Sequence, residues 1–416
     1  MGRQKRAGEF PALDRGLPAL ILRTHRYPLH HGTLGAVRSL GRAGVEVHAV
    51  LEERGNPAAR SRHLHRALPW GPPPGEAEPV IDHLRGLAAR IGRPALLVTV
   101  DDAGALFAAR HAARLREWFV LPDVPADVPA RVADKARLAE LCAELGIAHP
   151  PTAVPAGPAG VDAAAGRFGL PLMAKWARPW HLPPGFRSAE LVATAERAHE
   201  LYAASRAPGQ ADAGPLILQE LVGHRGGDWF FQGYFDESSA CLFGGAGRKH
   251  LARPVHAGHT VTGEWVANPE LEDLARAIVK AAGYSGAVDM DFRETADRTY
   301  HLVDFNPRLG AQFRLFHDAR GLDIVRAQHL HLSGRPVPPA RPDYGRTLVV
   351  EDQCLHHALA HPTGLPAALR SLAGAGERAW YARDDRVPLA VVGAHGFGRA
   401  ARGAARRAAR PLRRPS

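Results

Sequence analysis

The segment Gly286–Arg308, GAVDMDFRETADRTYHLVDFNPR, constrains the fold of this chain more than any other. Val288, Met290 and Phe292 alternate with Asp289, Asp291 and Arg293; after a polar turn, Val303 and Phe305 alternate with Leu302, Asp304 and Asn306. Period-two alternation interrupted by a short polar stretch predicts two half-buried strands joined as a hairpin. A one-residue slip turns every side chain to the other face, so the apolar faces match only if paired residue numbers sum to an odd value. That register puts Asp289, Asp291, Asp304 and Asn306 on one surface. Carboxylates beside a neutral amide oxygen suit magnesium bound to a polyphosphate, because the hard cation takes oxygen ligands and shares its sphere with phosphates. Arg308, just beyond Pro307, is placed to reach a transferring phosphoryl group. The plainer alternative is a solvated hairpin with a polar outer face.

Upstream, the first third reads as alternating strands and helices. Ala19–Arg23 is a short apolar strand, Leu34, Val37 and Leu40 recur at helical spacing within Thr33–Ala43, and Val45–Leu51 alternates like a strand. After the Pro and Gly cluster at 69–75, Val80, Leu84, Leu87 and Ile91 mark a helix leading to the strand Ala95–Val100. The pattern implies a parallel α/β sheet, with Asp101 and Asp102 at a strand's carboxyl end, where such sheets place ligands. Glycines stand only at 32 and 35 in the first turn, so a three-glycine dinucleotide fingerprint is absent.

A second region opens at Asp134, an expected N-cap, with Leu138, Leu141, Cys142 and Leu145 on one helical stripe. Strands are expected at 170–175, 216–222 and 229–235, with a helix over about 188–205. Asn268 and Pro269 start a helix that Gly283 closes. Beyond Pro336 the pattern weakens into Pro-, Gly- and Arg-rich stretches.

Composition narrows the function. A chain of 416 residues suggests two to three domains, and no apolar run approaches the ~20 residues of a spanning helix. The start lacks the apolar core of a secretory leader. Cys142, Cys241 and Cys354 have no paired spacing, so a reducing, cytoplasmic setting is expected. The charge of +11 is uneven: seven arginines from Arg399 to Arg414 stand without an acid, a basic tail whose readings are a solvated terminus or contact with an anionic membrane or nucleic acid. Only five of the 53 basic residues are lysine, and a compact ammonium is retained where a guanidinium does not serve. Three of the five are Lys135, Lys175 and Lys249. The histidines form no trusted zinc spacing, and neither a nucleophile elbow nor a Walker loop is present.

The strand pair at 289–308, ADKARLAELCAELGIAHPPT at 133–152, LPLMAKW at 170–176 and LILQELVGHRGGDW at 216–229 follow one another in the order of the ATP-grasp superfamily. Over roughly residues 130–330 the chain resembles its carboxylate-amine ligase branch. The resemblance implies an α/β and α+β architecture: a polar extension (1–17), an N-terminal parallel α/β pre-ATP-grasp domain (18–128), a two-subdomain ATP-grasp fold (129–335) with its lid at about 150–220, a C-terminal extension (336–398) and the tail (399–416).

Carried over residue by residue, the resemblance implies that Lys135 and Lys175 contact nucleotide phosphates. Gln219, Glu220, Leu221 and Val222 would form the hinge that receives adenine, and Asp228 would lie near the ribose. Asp291, Asp304 and Asn306 match metal ligands for magnesium, with manganese an alternative, although Asp304 stands where glutamate is more usual. Arg308 matches the arginine that stabilises the transferred phosphoryl group. Lys249, beside Arg248, lies where a cation could meet phosphate, and could equally be surface charge. Arg293 and Arg314 are candidates for holding the acceptor carboxylate, with structural ion pairs the alternative for either. The expected lid loop, Trp176–Arg187, carries Pro179, Pro183 and Pro184; Trp176 and Trp180 either cover substrate or pack the lid.

The expected activity is an ATP-dependent ligation of small-molecule substrates. A carboxylate is phosphorylated to an acyl phosphate, and an amine attacks it, releasing ADP and phosphate. Alternatives are ATP-grasp carboxylation, carboxyl phosphorylation, or an inactive ATP-binding regulator. A nucleic-acid binder is the other class, leaning on the tail alone.

Overall fold

The computed structural model describes residues 12–52, 55–72, 76–182, 186–207, 209, 211–223, 227–254, 258–361 and 364–396. The start of the polar extension, Pro183, Pro184 and the arginines of the tail lie outside the described residues. No helix among the described residues is long and apolar enough to cross a membrane.

The N-terminal unit runs β1 (Ala19–Leu22), α1 (His31–Arg42), β2 (Val47–Leu51), β3 (Arg66–Pro69), α2 (Ala77–Ile91), β4 (Ala95–Thr99), α3 (Asp102–Arg110), α4 (Ala112–Leu115) and β5 (Phe119–Val120). Its five strands are parallel in the order β3-β2-β1-β4-β5. Covered on both faces, β1 is buried along its whole length, which is why it reads as a continuous apolar run. The chain leaves β1 to one side and returns to its other side as β4, so the carboxyl ends of these two strands form the switch point of the sheet.

Helices α5 (Val128–Ala133) and α6 (Lys135–Glu144) lead into the lid, made of β6 (Thr152–Ala153), α7 (Pro158–Phe168), β7 (Leu172–Trp176), β8 (Ala189–Val192), α8 (Ala195–Ser205) and β9 (Leu216–Gln219). Its strands are antiparallel in the order β6-β9-β7-β8. The helix expected over 188–205 is divided here. Residues 189–192 pair with β7, and the Thr194 side chain caps a separate helix by accepting from the Arg197 amide at 3.3 Å. Pairing with a distant strand outweighed local helical spacing.

The third sheet takes β10 (Asp228–Phe235), β11 (Cys241–Arg253), β12 (His259–Trp265), β13 (Gly286–Glu294), β14 (Tyr300–Asn306), β15 (Thr347–Val349) and β16 (Glu377–Arg378) in the order β14-β13-β10-β11-β12-β15-β16. One face buries Met290, Phe292 and Phe305 with Leu138 of α6 and with Leu271 and Ile278 of α9 (Pro269–Ala282). The other brings Phe230, Tyr234 and Trp265 together with α10 (Ile324–Leu332), with Leu34 and Val37 of α1, and with Trp380. This shared core ties the N-terminal unit to the sheet.

The stretch beyond Pro336 is built into that body rather than appended to it. β15 pairs with β12, α11 (Glu351–Ala360) and α12 (Leu365–Gly374) cover the sheet edge, and buried Arg38 of α1 donates to the Trp380 carbonyl and to Asp385. Its elements are short and bury small residues, so they leave little periodicity to read.

Candidate active site

The hairpin of β13 and β14 begins in the expected register, Asp289 opposite Asn306, Met290 opposite Phe305 and Asp291 opposite Asp304. The ladder then slips at an irregularity, and Phe292 faces Leu302. From that point Leu302, not Val303 as expected, turns into the core, while Val303 is half-buried. The bulge therefore ends the carboxylate-bearing face and leaves the Val303 carbonyl to accept a bond from the lid.

Cations from four elements meet on that face. Lys135, the first residue of α6, places Nζ 2.6 Å from Asp304 Oδ1. Its own amide donates to the Ala177 carbonyl at 3.0 Å, and Arg178 pairs with Asp134 at 2.8 Å, so the start of α6 is stitched to the end of β7. Asp134 is the helix cap expected, accepting from the amides of Ala136 and Arg137. Lys175 reaches out of β7 to donate to the Val303 carbonyl at 3.3 Å. Lys249 of β11 lies 2.6 Å from Asp291. Its neighbour Arg248 points to the other face and lies over the Trp229 ring, as strand alternation requires.

Arg308 is clasped by Asp289 at 2.6 Å and by Asp102, at the first turn of α3, at 3.3 Å. Burial by itself would lower the Arg308 pKa, but these two carboxylates hold it above its ordinary value, so the guanidinium stays charged. Burial pushes the carboxyls of Asp289 and Asp102 upward, and Arg308 opposes that rise. For Asp304 burial also pushes upward, yet the ammonium groups of Lys135 and Lys175 win and lower its pKa. Burial depresses Lys175 to about 8, with Asp304 opposing the shift and Lys135 reinforcing it.

The second support of Arg308 is a polar network under the sheet. Gln232 donates to Asp289 at 2.7 Å and to Gln312 at 3.0 Å. A Cβ on Gly310 would fall 2.1 Å from the Gln232 amide nitrogen, so only glycine allows this approach. Asn306 donates to the Asp289 carbonyl at 3.0 Å, leaving Oδ1 as its acceptor.

The expected hinge residues lie between the lid sheet and the large sheet. Gln219 ends β9 and donates to Thr152 at 2.9 Å, the Glu220 amide donates to the Pro151 carbonyl, and the Val222 amide to the Glu220 carbonyl. Leu221 and Val222 remain half-buried. Gly223 has φ +66°, and a Cβ there would stand 2.8 Å from the Glu294 carbonyl, so the hinge rests on the end of β13.

Several expectations are redirected. Arg293 pairs with Asp228 at 2.8 Å, at the hinge end of β10, the ion pair that was its alternative reading. Arg314 is buried, donating to the Ala379 carbonyl at 3.2 Å and lying 3.4 Å from His31, so it joins the C-terminal stretch to α1. Asp101 is a structural cap: it accepts from the amides of Thr24, His25 and Gly104. Trp176 is buried in the lid core with Val161, Leu172 and Leu216, and Trp180 is half-buried beside His181. That Asp102 and Asp289 hold Arg308, with Gln232 bracing Asp289, does not follow from the local sequence of any of them. A signal for Gln232 existed, since it is a lone amide in the otherwise apolar strand core WFFQGYF.

Comparison with known proteins agrees with this architecture. A scan against protein-family models and a search of curated proteins find no match. Solved structures do match. The biotin carboxylase domain of the Hydrogenobacter thermophilus 2-oxoglutarate carboxylase, in complex with MgADP, ADP and bicarbonate, has 17% identity and a TM-score of 0.57 over 79% of this chain and 73% of that one. L-amino acid ligase from Bacillus licheniformis has 14% identity and a TM-score of 0.58 over 80% and 79%. N5-carboxyaminoimidazole synthetase from Staphylococcus aureus has 12% identity and a TM-score of 0.59 over 85% and 89%. The chain has the ATP-grasp fold, a mixed α/β structure with one parallel sheet, one antiparallel sheet and a large sheet that is antiparallel except for the β15–β16 pair.

Proposed function

We propose that this protein is an ATP-dependent carboxylate-amine ligase of ATP-grasp type. The observation that carries the reading is the convergence of Lys135, Lys175, Lys249 and Arg308 on the carboxylate face of β13 and β14, beneath the lid. Four carboxylates face these four cations: Asp102 and Asp289 both pair with Arg308, Asp291 with Lys249 and Asp304 with Lys135, while Lys175 donates to the Val303 carbonyl. Among the described residues no three His, Cys, Asp or Glu side chains gather into a metal cage of their own. Two facing carboxylates, Asp291 and Asp304, with the Asn306 amide oxygen fit the small protein share of a magnesium sphere completed by phosphates. When bound, magnesium would neutralise phosphate charge and orient the γ-phosphoryl group.

In this reading Asp291, Asp304 and Asn306 would hold the metal, and the ammonium groups of Lys249 and Lys135 beside them would meet phosphate oxygens. Lys175 meets phosphate from the lid side. Arg308, already charged and clasped, faces the transferring group without reorganising. The substrate carboxylate attacks the γ-phosphorus, ADP leaves, and the acyl phosphate loses phosphate when the amine attacks. The lid, stitched to α6 by the Lys135 amide and the Arg178–Asp134 pair, would cover the site and keep water from that intermediate. Gln219 to Val222 supply the adenine hinge, and the Asp228–Arg293 pair lies on the ribose side.

The reading is tested by ADP release from MgATP. Panels of amino acids, presented singly and in pairs, are expected to reveal release that needs both a carboxylate and an amine. Carboxylases share this fold, so release supported by bicarbonate without an amine would replace ligation by carboxylation.

Lys175 gives a prediction with a sign. Its depressed pKa means that the free protein carries the ammonium below about pH 8 and loses it above. ATP affinity, followed by nucleotide titration, is therefore expected to fall as pH rises through 8. Lys175→Arg keeps the charge but cannot occupy the compact site, and about a tenfold rise in KM for ATP is expected. Wild-type KM in that variant would remove Lys175 from the phosphate site.

A further inference from the structure

Arg293 and Arg314 serve contacts inside the fold, with Asp228 and with the Ala379 carbonyl. A different donor stands at the carboxyl end of β1, where open α/β sheets receive ligands. Past β1 the chain turns through residues 23–30 into α1, and buried Arg23 fixes this turn. It pairs with Glu52 and donates to the Tyr27 carbonyl, while the Tyr27 amide donates to Glu52 at 2.8 Å. His30 ends the turn as the cap of α1: its Nδ1 accepts from the Thr33 amide at 3.1 Å and lies 2.9 Å from the Thr33 hydroxyl. A backbone amide can only donate, so Nδ1 keeps its lone pair and the hydrogen of the neutral ring sits on Nε2. Burial, followed by the charges of Arg23, His31 and Arg308, holds the ring well below its ordinary pKa, so it is neutral at pH 7. The ring is half-buried, and among the described residues no hydrogen bond engages Nε2.

The fold brings this ring beside Arg308. The first turn of α1 packs on the loop that follows Arg308: a Cβ on Gly32 would fall 2.8 Å from the Ala311 Cα and 2.9 Å from the His30 Cε1, so only glycine allows the approach. His31 bonds the Ala311 backbone, and the Leu309 amide donates to the Thr99 carbonyl, at the end of β4, at 3.3 Å. Arg308 is then near enough for its charge to act on His30. The Nε2–H and the guanidinium can only donate. A ligand shared by the two must accept from both, which a carboxylate does and an ammonium cannot.

We propose that His30, through Nε2, and Arg308 together hold the carboxylate that is to be phosphorylated. His30 donates to one carboxylate oxygen and leaves the other for the γ-phosphorus. The inference rests on the ligase reading for the fate of that carboxylate, but binding alone can be followed without turnover.

Two measurements test it. In the first, the full chain, isotope-labelled at its histidine ring nitrogens, is titrated by NMR with amino acids and with their carboxamides in the presence of magnesium and a non-hydrolysable ATP analogue. The Nε2–H form of His30, assigned by loss of its signal in His30→Asn, is expected in the free protein, and that signal is expected to move with at least one amino acid and with no carboxamide. In the second, His30→Asn keeps a side-chain oxygen for the Thr33 amide, and so preserves the start of α1, but does not reach the position of Nε2. In ADP release it is expected to raise KM for the carboxylate about tenfold, the scale of a hydrogen bond to a charged group, and to leave KM for ATP within about twofold. His30→Ser, another good cap with a still shorter reach, is expected to do the same, and circular dichroism of both variants is expected to match the wild type. An Nδ1–H form of His30, or a signal that no amino acid moves, overturns the proposal. So does a wild-type KM for the carboxylate in both variants. If the His30 signal moves with an amino acid but no amino acid drives ADP release, the carboxylate site stands and the ligase reading fails.

Discussion

Arg308→Ala is expected to lower ATP-dependent ADP release by about a thousandfold, the scale on which an arginine stabilises transferred phosphoryl charge. The reason is preorganisation. Asp289 and Asp102 hold the guanidinium from two sides, and Gln232 with Gln312 braces Asp289 from below, so the cation is aimed before any ligand arrives. The same clasp gives the variant a cost in stability. With Arg308 gone, Asp289 remains buried without its counter-ion, and a loss of about 3 kcal/mol follows from breaking one side of a buried pair. Arg308→Lys separates the two effects: it restores a charge and part of the stability, but one ammonium cannot keep both carboxylates and still offer a planar fork. Steady-state ADP release alongside thermal melting measures both. Full activity in Arg308→Ala would remove Arg308 from the site.

Asp304→Asn is expected to lower ADP release by about a hundredfold or more at saturating magnesium, since it takes a charge from one of two facing carboxylates. The sequence suggests a solvated group whose change leaves the fold nearly intact. The structure shows otherwise, because Asp304 pairs with Lys135 and faces Lys175, so about 1–3 kcal/mol of stability should go with the charge. The pH dependence carries the sign. The folded-state pKa of Asp304 is lowered below 3.8, so its contribution is fully present above that pH and is lost as pH falls. Urea melts of the wild type and the variant should therefore differ at pH 7 and converge in acid. A difference that persists in acid would mean that something other than this charge stabilises the pair.

The candidate site was legible where chemistry and periodicity coincide. Alternation in Gly286–Arg308 placed Asp289, Asp291, Asp304 and Asn306 on one face, and the scarcity of lysine singled out Lys135, Lys175 and Lys249, which the structure brings to that face. What stayed hidden concerns partners far apart in sequence. Arg308 is held partly by Asp102, more than 200 residues away, and neither residue's neighbourhood announces the other. Arg293 and Arg314 looked equally fit to hold a substrate, because a free arginine and one engaged by Asp228 or by the Ala379 carbonyl have the same local sequence.

Local sequence by itself determined the elements whose signals are strong and short-ranged: the parallel strands β1 and β4, the Asp134 cap of α6, the Asn268–Gly283 helix and the start of the hairpin register. Only the tertiary structure decided that 188–205 divides into a strand and a helix, that a bulge turns Leu302 rather than Val303 inward, and that 347–396 completes the large sheet and its core. The physical reason is the range of the deciding interaction. A cap or an apolar stripe is settled within a turn or two of chain, whereas strand pairing, a bulge and the partner of a buried charge depend on what the fold places opposite.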